Sequence, residues 1–299
     1  AQEKEGGLQD LFEYLMEVMG QRMQLRNEFV QQNGLTPGDP GNVLRAFGYI
    51  HEHSTPVMVI FESFYEFATS LYDGQAVTFS YDDGVTQDQR LIALLNKYGL
   101  KCTFNLNSEF LGTAGSLVRE DVTVAHVKPR AIEVKNIYEG HDVASHTLTH
   151  PLLTAVSDDE IVRQVENDRL ALSDIVGYEV VGFAYPGGGT NYNEHVADVI
   201  KNNTGVKYCR TTVSSHSFDI QSDLYRFKPT VYHHEEWNKM FELAQSFVEL
   251  DTDTPKLFYI WGHAYEFDIH NTWDKFEEFC KIISGKQDIF YGTNREVLL

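Results

Sequence analysis

Two short runs of this 299-residue chain hold side chains whose types and spacing could do chemistry. In Thr78-Phe79-Ser80-Tyr81-Asp82-Asp83-Gly84 a β-branched and aromatic stretch ends in two adjacent carboxylates and a glycine. In Ser145-His146-Thr147-Leu148-Thr149-His150 two histidines stand four apart, closed by Pro151. One aspartate and two histidines make a three-ligand set that leaves positions on a divalent ion open to water or substrate. The other aspartate is then left beside the ion as a candidate base. That combination reads as hydrolytic, because a structural zinc site usually has four ligands and is rich in Cys. Either run alone has a plainer meaning: Asp-Asp-Gly is an ordinary turn after a strand, and His-x-x-x-His an ordinary helix-surface pair.

Position along the chain gives the pair its weight. Strands are expected over Ala76–Tyr81, Lys101–Asn105, Asp142–Ser145, Val180–Tyr185, Lys207–Thr211, Arg226–Tyr232, Lys256–Trp261 and Asp288–Tyr291. Helix-period segments lie between several of them, at Asp88–Tyr98, Ser157–Val176 and Tyr192–Asn202, the second opened by the capping-box pattern Ser157-x-x-Glu160. Repeated strand-then-helix units argue for a mostly parallel sheet, and seven or eight of them close into a distorted (β/α) barrel. Such a barrel carries its chemistry where its strands end. Asp82 and Asp83 end the first strand, His146 the third, Tyr185-Pro186-Gly187 the fourth, and Trp261-Gly262-His263 a late one. Residues 1–72 differ: an amphipathic helix over Leu8–Gln31, a Gly- and Pro-rich break, a second helix near Val43–His51 and an apolar run over Val57–Leu71. They are expected to form an N-terminal helical extension packed on a barrel over 73–299.

Taken in order, the Asp-Asp-Gly run, the two-histidine run, the Tyr-Pro-Gly turn and the late strand ending in histidine resemble the polysaccharide deacetylases. This is the carbohydrate esterase family that includes chitin, peptidoglycan and acetylxylan deacetylases. The resemblance covers roughly residues 76–295. It implies a metal-dependent hydrolase that removes acetyl groups from N- or O-acetylated sugars. It implies Asp82 as the catalytic base, with Asp83, His146 and His150 holding one divalent ion, zinc first and cobalt or nickel as substitutes. It implies His263 as the catalytic acid, and Tyr185, Pro186 and Gly187 as a substrate-lining turn that lends a backbone N–H to the oxyanion. The family pattern is broken in two places. Phe183-Ala184 stands where an arginine usually orients the base, leaving Arg210 and Tyr185 as candidates for that task. Near the acid histidine only Glu235-Glu236-Trp237 approaches the usual acidic residue and tryptophan, and no support for His263 is evident.

The remaining residues are read more plainly. Trp261 is either a sugar platform or core, and Trp237 with His233 and His234 either lines a groove or sits in a solvated loop. His51, His53, His126, His141, His195, His216 and His270 show no partner spacing and are assigned to structure or surface. A net charge of −20 argues against nucleic acid or an anionic membrane as partner. No run of 18 or more apolar residues is present, so no membrane span is expected. Cys102, Cys209 and Cys280 are odd in number and far apart, consistent with free thiols. The cytoplasm is the default location, with secretion the alternative if a leader was removed before Ala1. An amidohydrolase acting on a non-sugar, even cyclic, amide and a silent carbohydrate-binding barrel are the rival readings. So is an Fe(II) oxygenase, which also uses two histidines and a carboxylate.

Overall fold

The computed structural model describes residues 74–299, apart from 235, 236 and 253. The extension expected over 1–72 lies outside them.

Eight strands form one parallel sheet: β1 (Gln75–Asp82), β2 (Cys102–Leu106), β5 (Asp142–Ser145), β6 (Gly182–Ala184), β7 (Tyr208–Arg210), β8 (Val231–Tyr232), β9 (Lys256–Gly262) and β10 (Ile289–Tyr291). Their order is β7-β6-β5-β2-β1-β9-β8, with β10 paired to the start of β1. Strands covered on both faces read as near-continuous apolar runs, and β1 buries every residue but Ala76. The sheet closes through the segment 227–232. Phe227 donates to Cys209 O and accepts from Thr211 N, while Thr230 N, three residues on, reaches Tyr259 O. Pro229 lies between these contacts and has no N–H to give, so the strand expected over Arg226–Tyr232 touches β7 at one end and β9 at the other. The distorted barrel of seven or eight strands is therefore the observed architecture.

Helices α1 (Asp88–Lys97), α2 (Ala131–Ile137), α3 (Asp158–Val176), α4 (Glu194–Asn203), α5 (Trp237–Val248), α6 (Glu266–His270), α7 (Trp273–Ile283) and α8 (Asn294–Leu298) complete the described chain. Each long one buries residues at helical spacing, as α1 does with Leu91, Ile92 and Leu95. Ser157 caps α3 by accepting from Glu160 N, but the Glu160 carboxylate turns to Arg163 instead of closing the box. The core is strongly aromatic: Phe79 of β1 meets Phe276 and Phe279 of α7 edge-on at 6.1 and 6.3 Å. Helices α2, α5, α6 and α7 have no named counterpart in the sequence reading, and neither has one further element. It is an antiparallel hairpin, β3 (Ser116–Arg119) and β4 (Val122–Ala125), whose exposed Val118 and Val122 gave no buried period to detect.

Candidate active site

Register brings the two motifs together. Tyr81 pairs with Gly262, so Asp82 and His263, one residue further along each strand, end side by side. Asp82 also pairs with Asn105 of β2, and β2 runs beside β5, which ends immediately before His146. The run 146–150 is a stapled turn, not a helix. Asn107 Nδ2 donates to the carbonyls of His146 and Thr147 at 2.6 and 2.9 Å. Asp168 of α3 accepts from Ser145 Oγ and from the His146 N–H at 2.6 and 3.2 Å. The Thr147 hydroxyl accepts from His150 N at 3.0 Å.

Asp83, His146 and His150 converge with donor atoms all within 4.8 Å of one another. Asp83 Oδ1 lies 3.9 Å from Nε2 of His146 and 3.8 Å from Nε2 of His150. Nδ1 of the His146 ring is 2.8 Å from Ala184 O, which can only accept; this sets the tautomer and leaves the Nε2 lone pair facing the aspartate. Burial lowers the His146 pKa to about 4, and a neutral imidazole is the form that binds a metal. Burial opposes the charge on Asp83, but His126, Lys128 and the surrounding histidines hold its carboxyl well below the usual range. Asp83, Thr147 and His150 all have positive φ, at 78°, 70° and 58°. Non-glycine residues in that region store strain, and here the strain is collected at the donor cluster. Donor chemistry, tautomer and spacing all fit one divalent ion.

Asp82 has different partners. Nη2 of Arg210, fully buried on β7, reaches both carboxylate oxygens at 2.5 Å, and Asn105 Nδ2 donates to Oδ1 at 2.7 Å. Burial favours the neutral acid, yet Arg210, with His146 and His263, outweighs it and holds the Asp82 carboxyl below its ordinary value. Of the two residues named as candidates to hold Asp82, Arg210 is the one in contact with it. It rests on the face of Trp261, 4.4 Å from the ring centroid, and Trp261 in turn stacks on Tyr232 at 4.2 Å.

His263 is held by Glu266, the first residue of α6. The Glu266 carboxylate meets His263 Nδ1 and the His263 N–H at 3.0 Å each, and also accepts from the Tyr232 hydroxyl. Burial works against a charged His263, but Glu266, with Asp83 and Asp82, pushes its pKa up to about 9. A cation beside Asp83 opposes that charge, so about 9 is the upper bound for the metal-loaded site. The same pair holds Glu266 down at about 2 despite burial. With Nδ1 turned to Glu266, the Nε2 of a charged His263 is the nitrogen left to give a proton.

These groups share a cavity of about 350 Å³, walled on other sides by Arg119, Gly187–Gly189, Thr212, Tyr232 and Trp261. Several sequence-named residues lie elsewhere. The Tyr185 side chain is buried, its hydroxyl donating to Tyr225 O, and its N–H is given to Arg210 O. Pro186 has no N–H, so of the Tyr-Pro-Gly turn only Gly187 reaches the cavity. Trp237 packs against His233, Phe241 and Phe267 and does not line it. His233 is no solvated loop residue: it is buried, stacked 4.4 Å from Phe267, with Nδ1 3.2 Å from the Tyr81 hydroxyl.

Sequence spacing had no means of finding His126, Lys128 or Arg119 and left Glu266 unassigned. Nε2 of His126 comes 3.4 Å from the second oxygen of Asp83, and Lys128 donates to the Asp83 carbonyl. All but Glu266 belong to the hairpin or the loop after it. Glu266 stands three residues from His263, and that short spacing within a helix start was the one signal present.

Residues 72–209 match the family model described as Polysaccharide deacetylase. A 106-residue stretch is 25% identical to an uncharacterized 30.6 kDa protein in the fumA 3'region of Geobacillus stearothermophilus, covering 36% of this chain and 34% of that one. The chain thus spans about a third of the curated relative it matches. Among solved structures, a family 4 carbohydrate esterase from Streptomyces lividans in complex with acetate is 18% identical over 73% of this chain and 92% of that one, with a TM-score of 0.46. The Streptococcus pyogenes deacetylase PplD in complex with acetate is 20% identical over 45% of this chain and 55% of its own, with a TM-score of 0.37.

Proposed function

From the family match over residues 72–209 and the groups gathered in one cavity, we propose that this chain is a metal-dependent deacetylase acting on N- or O-acetylated carbohydrate. The observation that carries the reading is the division of labour between two adjacent aspartates. Asp83 faces two histidine nitrogens, while Asp82 faces Arg210 and Asn105. A zinc ion held by Asp83, His146 and His150 would supply a Lewis acid for the acyl carbonyl and acidify the attacking water. Asp82, ionised and fixed in orientation by Arg210, takes the proton from that water. His263, charged through Glu266, gives its proton to the departing amine or alcohol. The glycine wall at Gly187–Gly189 lets a sugar approach the cavity closely, and Trp261 and Tyr232 line it beside them.

Acetate release tests the reading. The zinc-loaded protein is expected to free acetate from at least one of chitooligosaccharides, peptidoglycan fragments and acetylxylan, with loss on chelation and return on adding Zn²⁺ or Co²⁺. Hydrolysis of a cyclic amide with no acetate from any of the three would move the substrate out of carbohydrates. Oxygen uptake with a 2-oxoacid would overturn the reaction class.

A further inference from the structure

Three side chains from distant segments meet on the rim of the barrel, away from the first donor cluster. Glu120 lies at the turn of the β3–β4 hairpin, where it and Asp121 both have positive φ, at 50° and 63°. His234 follows β8, and His270 ends α6. Glu120 Oε1 stands 3.8 Å from Nε2 of His234, and Glu120 Oε2 stands 3.7 Å from Nε2 of His270. The two imidazole rings are 4.6 Å apart, and the three donor atoms all lie within 4.8 Å of one another. The matching separations in the Asp83 cluster are 3.9 and 3.8 Å. Donors sharing an ion at about 2.0–2.2 Å stand roughly 3–3.5 Å apart, so the rim cluster needs no more closure than the first.

A second observation points the same way. Nε2 of His270 is buried and has no hydrogen-bond partner among the described residues. A buried imidazole nitrogen without a partner is costly, and here it is aimed at the Glu120 carboxylate from beyond hydrogen-bond distance. A cation between the donors satisfies all three.

We propose that Glu120, His234 and His270 form a second metal site, selective for a divalent transition ion such as Zn²⁺, Co²⁺ or Ni²⁺. Two imidazoles and one carboxylate suit that class and do not suit Mg²⁺ or Ca²⁺, which take oxygen ligands. The site has a consequence for the cavity. Arg119, next to Glu120, lines it and lies 3.5 Å from Glu266, the residue that opens the helix His270 closes. An ion there ties the hairpin to that helix, and so sets Arg119 over the acid pair. The proposal does not depend on the deacetylase reading.

Zinc stoichiometry decides it, measured on the full chain after metal removal. The wild type is expected to take up two equivalents. A variant combining Asp83→Ala with His150→Ala should retain one. Adding His234→Ala and His270→Ala to that variant should weaken the remaining site at least roughly 100-fold. The Co²⁺ absorption bands of the double variant should vanish with it. Glu120 is largely exposed, so Glu120→Ala serves as the arm that leaves folding intact; it should lower the wild-type count from two to one. A wild type that binds no zinc, or one whose zinc count is unchanged by Glu120→Ala and by loss of both rim histidines, overturns the site. No step reads acetate, so failure of the deacetylase assay leaves this result standing.

Discussion

Asp82 and Asp83 are chemically identical neighbours told apart by their partners, and the proposed function divides the work between them on that ground. Asp82→Asn should keep the zinc equivalent of the first cluster, because Asp83, His146 and His150 remain. It should lower the rate of acetate release by about 10²–10⁴, the usual range for a lost general base. Loss of zinc in Asp82→Asn and retention in Asp83→Asn would mean the roles are exchanged. His263, the proposed acid, is likewise set by its neighbours, Glu266 foremost among those that raise it. Activity should fall as pH rises through the His263 value, which Glu266 lifts toward about 9. Removing the carboxylate charge in Glu266→Gln should bring the alkaline limb of kcat/KM down toward about 6.5, the ordinary histidine value. An unchanged limb would assign it to another group. Glu266 was the residue sequence spacing left unassigned, because a helix start three residues on can be read as a cap as easily as a partner.

Strand ends and the residues behind them determine how well these side chains are aimed. Gly262 closes β9 immediately before His263, and a Cβ there would meet His233 Nδ1 at 1.9 Å. The glycine is what allows the His233 ring to pack 5.5 Å from Tyr81 and 4.4 Å from Phe267, with its Nε2 3.6 Å from Glu266. Gly262→Ala should therefore cost about 1–3 kcal/mol, as overpacking in a core commonly does. It should also lower turnover more on an acetamide than on a nitrophenyl acetate ester, whose leaving group departs without a proton. Equal losses on both would show that the insertion disturbs the cavity generally and not the acid pair. The principal strands were legible because buried parallel strands are apolar throughout. The β3–β4 hairpin was not, because its short, exposed strands carry no such pattern, and with it went Arg119, His126 and Lys128.

At the scale of the whole molecule, ligand binding and folding are linked. The three donors of the first cluster are gathered from strand ends 63 and 67 residues apart along the chain, counted from Asp83 to His146 and to His150. An ion that binds only this arrangement stabilises the fold by mass action, about 2.7 kcal/mol at a free concentration one hundred times Kd. Zinc loading should raise Tm by a few degrees over the chelated protein. The part of that rise contributed by the first cluster should be absent in His146→Ala. A Tm insensitive to zinc in the wild type would show that the donors do not hold it.

The sequence by itself determined the parallel α/β architecture, the two motifs and their order. Hydrophobic period, turn residues and side-chain type are local properties, readable wherever they occur. It also marked Arg210 as one of two candidates to hold Asp82, the proposed base, and in the structure Arg210 makes that contact while the Tyr185 hydroxyl and N–H are engaged elsewhere. Tertiary structure alone decided which groups face one another. Arg210 reaches Asp82 across 128 residues because the sheet curls round, so that β7 faces β1 across the barrel although β6, β5 and β2 stand between them in the strand order. His234, His270 and Glu120 meet only because a hairpin, a strand end and a short helix share one rim. Strand order and register are cooperative results of packing the whole core, and no local spacing encodes them.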